Sequence, residues 1–371
     1  MEDEAAHKAF MRQALALAAQ ARGRTAPNPN VGAVLVRAGQ VVGRGCTAPP
    51  GGPHAEVSAL REAGERAHGA TLYVTLEPCS HTGRTPPCAP AIVAAGVARV
   101  FASLEDPNPL VNGAGLRLLR ERGVETHVGL LRGEAEAAAE PFLKRVATGL
   151  PFIEVKAALT LDGRAATASG RSRWITGDAA RAWVHARRNT ADAVMVGAGT
   201  ARQDDPELTV RLPGLDGRQP LRVVVSASGR LDPALKLFGG PPPGALVFVP
   251  PGTRAAGEVR CEVAWVDVPR SADGGVDMRQ VLAELARRGV NDVLVEGGAG
   301  LNATLLRAGL VDRLSIFVAA KLFGGKGLPG IGDLGVEDPA QGLALRDVRV
   351  TQVGEDWLFQ GRPGCGSEKR G

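Results

Sequence analysis

Aromatic residues are scarce in this 371-residue chain, at 4%, with a single tyrosine, Tyr73, and four tryptophans. Platforms that stack single-stranded nucleic acid need such side chains in series, so the composition speaks against that mode of binding. Long apolar runs are missing too, and none approaches the length of a membrane span. Charge of one sign is not concentrated: 44 Lys and Arg against 39 Asp and Glu leave +5, interspersed along the chain, with no stripe to track a phosphate backbone. Neither nucleic acid nor membrane is therefore expected as a partner, whereas a few local arginines suffice for a small anionic molecule. Only five cysteines occur, an odd number for this length, which argues against a secreted disulfide scaffold and for a reducing, cytoplasmic setting. Met1 to Glu4 is acidic where a signal peptide would be basic, and the Ala/Leu-rich run behind it reads as an amphipathic helix ending near Arg22-Gly23. No internal repeat is found, and the one biased tract, from Gly239 to Gly244, reads as an exposed loop.

What is present is a mixed pattern long enough for about two domains. Hydrophobic content of 44%, with 49 glycines and 26 prolines, fits a globular chain with many short turns. Strands are expected at Val31 to Val36, Val41 to Gly43, Thr71 to Leu76 and Arg99 to Ser103, and helices at Ala55 to Ala63 and Ala89 to Ala95. An Ala/Glu-rich helix from Glu134 then passes into Lys144 to Pro151, the expected boundary. Beyond it come strands at Phe152 to Ala157, Ala193 to Val196, Leu221 to Val225 and Asp292 to Val295. Two of these end in glycine-rich turns, Gly197-Ala198-Gly199-Thr200 and Glu296-Gly297-Gly298-Ala299-Gly300, the second opening a helix from Leu301 to Ala308. Backbone amides at such a turn can take a phosphate, although neither turn has the dinucleotide fingerprint spacing. Alternating strands and helices predict α/β layers with functional groups at strand ends.

The sharpest chemistry lies at His54-Ala55-Glu56, answered downstream by Cys79 and Cys88. One imidazole and two thiolates supply three zinc ligands and leave a fourth position open, the pattern of a catalytic site. Glu56, two residues after the histidine at the mouth of a helix, is placed to carry protons without ligating the metal. Zinc deaminases show this H-x-E arrangement followed by paired cysteines, but here eight residues separate the cysteines where the general signature has two. A disulfide between Cys79 and Cys88 and an ordinary structural His54 are the alternatives. Cys46, Cys261 and Cys365 lack partner spacing and read as incidental.

His54-Ala55-Glu56 with the segment from Leu76 to Cys88 closely resembles the deaminase half of a bifunctional deaminase–reductase family of riboflavin biosynthesis. The segments from Lys156 to Gly163, Ser172 to Thr176, Gly199-Thr200, Asp204 to Arg211 and Val295 to Gly298 resemble its reductase half, so that the likeness runs from about residue 8 to 360. The resemblance implies a cytidine-deaminase-like three-layer α/β domain over 1–147 and a dihydrofolate-reductase-like α/β domain over 148–362, with 363–371 read as a disordered tail. It implies zinc-dependent hydrolytic deamination of 2,5-diamino-6-(5-phosphoribosylamino)pyrimidin-4-one, then NADPH-dependent reduction of the ribosyl chain to ribityl, and leaves a homo-oligomer open.

Carried over by position, the resemblance assigns zinc to His54, Cys79 and Cys88 and proton transfer to Glu56. In the first half it assigns substrate contacts to Asn28, His81, Arg84, Asp106 and Asn108, with Thr47 standing where several relatives carry a histidine. In the second half it assigns NADPH to Ala158, Trp174, Thr200, Asp204, Gly297, Gly298, Ala299, Gly300, Leu301, Asn302, Ala303 and Thr304. Substrate falls there to Ser172, Arg188, Leu208, Arg211 and Glu296, with Lys156 and Asp162 as polar groups near hydride transfer and the two arginines suited to the sugar phosphate. Two other readings stand beside this one: a nucleic-acid or nucleoside base deaminase with an unrelated nucleotide-binding half, and a structural zinc module joined to a nucleotide sensor.

Overall fold

Residues 2–83, 85–108, 111–215, 217–253 and 263–364 are described by the computed structural model, and the chain divides into two units, Met1–Leu150 and Pro151–Gly371. The first unit runs α1 (Glu2–Ala21), β1 (Gly32–Arg37), β2 (Gln40–Cys46), α2 (Ala55–Ala63), β3 (Thr71–Val74), α3 (Cys88–Ala94), β4 (Arg99–Ala102), α4 (Ala114–Glu121), β5 (Glu125–Val128) and α5 (Arg132–Thr148). Its sheet has the order β2-β1-β3-β4-β5, antiparallel from β2 to β3 and parallel from β3 to β5.

Successive strand residues point to opposite faces, and the buried ones divide accordingly. Ala33, Leu35, Leu72, Val74 and Val100 pack with Ala59 of α2, Ile92 of α3, Leu119 of α4 and Ala139 of α5. Val34, Val36, Tyr73 and Phe101 turn the other way, onto Met11 and Ala14 of α1. Burial on both faces is why these strands read as continuous apolar runs, and the outcome is three layers. One seating matters for the site. A Cβ on Gly43 would stand 2.2 Å from the Ala59 carbonyl oxygen, and one on Gly45 would stand 2.1 Å from that of Ala55. Two glycines on one face of β2, opposed by the alanines of α2, thus let helix backbone rest on strand backbone and fix where His54 and Glu56 enter.

The second unit runs β6 (Phe152–Thr160), β7 (Arg164–Ala166), α6 (Asp178–Thr190), β8 (Ala193–Gly197), α7 (Ala198–Asp204), β9 (Leu221–Val225), β10 (Ala245–Val249), β11 (Val263–Asp267), α8 (Met278–Arg287), β12 (Asp292–Val295), α9 (Ala299–Arg307), β13 (Arg313–Ala319), β14 (Leu328–Pro329), β15 (Leu345–Val353) and β16 (Asp356–Pro363). Nine strands form one sheet in the order β11-β10-β9-β8-β12-β6-β13-β16-β15, parallel from β11 to β13 and antiparallel at the β16–β15 hairpin. A buried charge cluster ties its centre together: Arg187 of α6 donates at 2.6 Å to Glu154 of β6 and at 2.6 Å to Asp292 of β12.

Two local expectations change. The stretch Gly197-Ala198-Gly199-Thr200 is not a separate turn, because β8 passes directly into α7. Pro363 closes β16, and the Gly364 amide donates to the Ala344 carbonyl at 2.8 Å, so the chain is held past the point where a tail was expected. Residues 365–371, and Cys261 and Cys365, lie outside the described residues. Among the described residues, no helix is long and apolar enough to cross a membrane.

Each unit has its own sheet and its own core, and a 150-residue domain buries about 68–70% of its unfolded surface, enough to fold alone. A fragment of residues 1–150 is expected to melt in one cooperative transition followed by circular dichroism; a broad, non-cooperative loss of signal would contradict the division.

Candidate active sites

In the first unit three elements deliver three soft donors to one point. His54 is the N-cap of α2, Cys79 lies in the loop after β3, and Cys88 is the first residue of α3. His54 Nδ1 is 3.2 Å from Cys88 Sγ and 3.6 Å from Cys79 Sγ, and the three donor atoms all lie within 4.8 Å of one another. Zinc bonds of about 2.3 Å to sulfur and about 2.0–2.1 Å to nitrogen at a tetrahedral angle separate N and S by about 3.6 Å, so the donor set fits zinc. Cys79 and Cys88 are free thiols, not a disulfide. With Nδ1 turned to the sulfurs, His54 Nε2 carries the proton and donates to Thr85 Oγ1 at 3.2 Å, an outer hydrogen bond that fixes the ring.

Electrostatics favour ionisation of Cys79. The Cys79 thiol is pulled down to about 4, first by its hydrogen bond with Cys88 and further by His54 and the Cys88 backbone amide, which donates to Cys79 Sγ at 3.4 Å. Cys88 moves the other way, raised by the same sulfur contact and by burial, so Cys79 is the thiolate of the pair. His54 is raised, chiefly by its hydrogen bond to Cys79. Glu56 is 4% exposed, and burial pushes its carboxyl up to about 7, which suits a group that exchanges protons near neutrality.

A cavity of about 310 Å³ opens beside this cluster, lined by His54, Glu56 and Cys79 together with Asn28, His81, Asp106 and Asn108. These are the first-unit positions expected to meet substrate, except Arg84, which lies outside the described residues. Burial pushes Asp106 up to about 6, and its carboxylate accepts from the Asn108 amide at 2.9 Å. Thr47 lines the same cavity, but its hydroxyl is engaged with the backbone of Val31. Sequence reasoning missed Thr85, Phe142 and Arg145. Arg145, from the helix taken only as a boundary, donates to the Pro27 carbonyl at 2.8 Å and so holds the Asn28 loop. Nothing in the spacing marked it.

The second unit carries a separate cavity of about 510 Å³. It gathers most of the expected positions: Lys156, Ala158, Ser172, Trp174, Arg188, Asp204, Leu208, Arg211, Glu296, Gly297, Gly298 and Ala299. Thr200, Gly300, Leu301, Asn302 and Ala303 are not part of this lining, and Thr304 faces a different groove with Arg307. Asp162 is not brought in, because its carboxylate accepts from the Thr160 hydroxyl and from the amides of Phe323 and Gly324, holding a loop. Ser172 donates to Asp204 at 3.2 Å, joining an expected substrate residue to an expected cofactor residue.

Arg188 and Glu296 meet each other. Nε and Nη2 of the guanidinium donate to the two carboxylate oxygens at 2.6 and 2.9 Å, and Nη1 donates to the Thr209 carbonyl at 3.0 Å. The arginine fork expected for phosphate is therefore turned onto Glu296, whereas Arg211, half exposed and paired with Glu207, lies at the cavity wall. Burial opposes ionisation of both Arg188 and Glu296, but their mutual attraction prevails and leaves Glu296 lowered and Arg188 raised. Lys156 is lowered by burial, with Glu296 pulling against it. His185 was missed by sequence reasoning; it lines the cavity and accepts the Arg211 amide at 3.2 Å.

A cofactor phosphate fits the entry of α9. Amides of the first turn carry the positive end of the helix dipole. Gly298 leaves room, since a Cβ there would stand 3.0 Å from Thr200 Oγ1. Asn302 is fully buried with its amide nitrogen on the Gly297 and Gly330 carbonyls, while its Oδ1 has no protein partner and lies near Gly297. That oxygen is an acceptor and does not suit a phosphate; it is the backbone amides of the turn that do.

Comparison with known proteins finds a deaminase-type unit followed by a reductase-type unit. Residues 4–104 match the family model for the cytidine and deoxycytidylate deaminase zinc-binding region, and residues 151–359 match the RibD C-terminal domain. The chain is 43% identical over 368 residues to riboflavin biosynthesis protein RibD of Escherichia coli (strain K12), covering 94% of this chain and 96% of that one. It is 40% identical to the RibD of Aquifex aeolicus, covering 95% and 97%. Among solved structures, RibD of Acinetobacter baumannii superposes with a TM-score of 0.88 at 38% identity, covering 98% of this chain and 100% of that one. A diaminohydroxyphosphoribosylaminopyrimidine deaminase/5-amino-6-(5-phosphoribosylamino)uracil reductase from Thermotoga maritima gives 0.86 at 35% identity, with coverage of 98% and 100%.

The donor geometry predicts one zinc per chain by elemental analysis. Cys79→Ser is expected to lower that stoichiometry sharply, and full retention of zinc would remove Cys79 from the ligand set.

Proposed function

The chain belongs to the RibD family of riboflavin biosynthesis, a deaminase joined to a reductase, and on that premise we propose that its two cavities are the two reaction centres. The observation that carries the reading is the cluster of His54, Cys79 and Cys88 with Glu56 beside it in one cavity, in the same chain as the α9 cradle. In the first step 2,5-diamino-6-(5-phosphoribosylamino)pyrimidin-4-one is hydrolysed to the uracil, water replacing the 2-amino group and ammonia leaving. His54, Cys79 and Cys88 would hold zinc, which when bound supplies the Lewis acidity that makes water a nucleophile at neutral pH. Glu56 takes the proton from the attacking water and returns it to the departing amine, a task that fits a carboxyl raised to about 7. Asn28, Asp106 and Asn108 orient the ring and the ribose from the cavity wall and His81 meets the phosphate, while Arg84 is assigned to the phosphate by resemblance alone.

In the second step the ribosyl ring opens as its anomeric carbon is reduced. NADPH, when bound, supplies the hydride, with Ala158, Trp174, Thr200, Asp204 and the Gly297 to Thr304 segment as its seat. Lys156, lowered by burial, gives the proton that the opening ring oxygen requires. Glu296 is held in place by Arg188 to meet the substrate's hydroxyls, Ser172 and Leu208 flank it, and Arg211 takes the phosphate. Asp162, outside the cavity lining, serves to hold the loop at Phe323 and Gly324. The alternative of a base deaminase acting on nucleic acid is not favoured, since full-length relatives are RibD proteins.

Three variants test these roles. Glu56→Gln should retain zinc and lose ammonia release while NADPH oxidation with the deaminated intermediate continues; undiminished deamination would remove Glu56 from the mechanism. Arg211→Ala should raise the KM of the reductase step roughly 10-fold, as expected for loss of a charge-assisted contact, and selective loss of NADPH binding would instead make Arg211 a cofactor residue. Arg188→Ala should act on stability, because it strands Glu296 in a buried site at a cost of about 3–5 kcal/mol. A melting temperature unchanged by that substitution would show that the pair is dispensable.

A further inference from the structure

Glu77 stands two residues before Cys79 and is 4% exposed, yet its carboxylate has no cation beside it among the hydrogen bonds and ion pairs of the described residues. Four backbone amides surround it instead. Oε2 accepts from Asp106 at 3.1 Å and from Gly113 at 2.9 Å, and Oε1 accepts from Gly115 at 3.0 Å and from Leu116 at 3.2 Å. Three of those amides are at the entry of α4, whose own N-cap, Gly113, offers no side-chain cap. The helix is therefore capped from another element, with the negative charge at the positive end of the helix dipole. The packing is close: a Cβ on Gly115 would stand 1.8 Å from the Pro78 carbonyl oxygen and 3.3 Å from Glu77 Oε1. The fourth amide belongs to Asp106, which lines the substrate cavity and in turn accepts from Asn108.

We propose that Glu77 is a positioning residue of the deaminase centre: it fixes the Asp106–Asn108 wall of the cavity by clamping that loop and α4 to the segment bearing Cys79. The inference rests on the deaminase reading. Glu77 also lines the cavity, but with four amides on its two oxygens its carboxylate is saturated as an acceptor. Its influence reaches the reaction through the Asp106 amide, while His54 and Cys88 are held at the entries of α2 and α3 and Cys79 accepts from the Cys88 amide.

Glu77→Gln is close in shape but replaces an acceptor oxygen with an amide nitrogen that faces backbone N–H groups. In the full-length chain it is expected to keep one zinc, leave the reductase step unchanged, and raise the KM for 2,5-diamino-6-(5-phosphoribosylamino)pyrimidin-4-one about 10-fold, with a smaller change in kcat. Leu119→Ala is the structural comparison, since it weakens the packing of α4 without touching Glu77. Measured below both melting transitions, a raised KM in Glu77→Gln but not in Leu119→Ala supports the proposal. A lowered melting temperature with unchanged KM overturns it, and so does loss of zinc in Glu77→Gln, which would mean that Glu77 acts on Cys79. If Glu77→Gln does not accumulate, Glu77→Asp, which retracts the same carboxylate, is read by the same two criteria. Absence of any deamination by the parent chain would sink the deaminase reading and this inference together; normal turnover in the parent with unchanged KM in the variant sinks this inference alone.

Discussion

Holding two sulfurs, an imidazole and a carboxyl group around one point inside apolar surroundings is the constraint on which the first unit depends. Burying such groups is costly unless each is hydrogen-bonded or paired, and this fold meets the demand with helix entries. His54 stands at the entry of α2 and Cys88 at that of α3, where its amide also steadies the Cys79 thiolate. The close seating of α2 on Gly43 and Gly45 then decides how deep Glu56 lies. That depth is the chief cause that raises its carboxyl to about 7, and the charge on Cys79 adds to it.

The second unit answers a different demand, for a broader cavity, which the proposed reading fills with a cofactor and a phosphorylated substrate. Parallel strands leave their carboxyl ends open as a crevice. Here the wall is made rigid by a buried bidentate pair, Arg188 and Glu296, and the α9 entry supplies amides instead of charge. An ion pair of this kind gives position more dependably than it gives stability. Trp174, exposed at the rim with Arg181 stacked 4.6 Å from its ring, offers a flat surface at the mouth of the same cavity.

Much of this was legible in the sequence for identifiable reasons. The helix over Ala55 to Ala63 and the strands over Leu221 to Val225 and Asp292 to Val295 have the bounds expected of them, because apolar periodicity and glycine punctuation coincide there. The ligand triad was legible because metal chemistry restricts both residue type and spacing. Other features depend on tertiary neighbours that no local pattern announces. The amide partners of Glu77 lie 29 to 39 residues away, and Arg145 reaches Pro27 across 118 residues. Likewise, no spacing announces that Arg188 faces Glu296 or that Asp162 is held by Thr160, Phe323 and Gly324. The β15–β16 hairpin escaped the sequence reading, and β15 is exposed along most of its length, so burial imposes no apolar alternation for a sequence pattern to reveal.

The central claim is that one chain carries both reactions in a fixed order. The most direct measurement supplies the full-length, zinc-loaded protein with 2,5-diamino-6-(5-phosphoribosylamino)pyrimidin-4-one and follows ammonia and NADPH together. The account predicts ammonia release with or without NADPH, and NADPH oxidation that lags behind it and converges on one NADPH per ammonia. NADPH oxidation that precedes ammonia release, or ammonia release with no NADPH consumed thereafter, would contradict it.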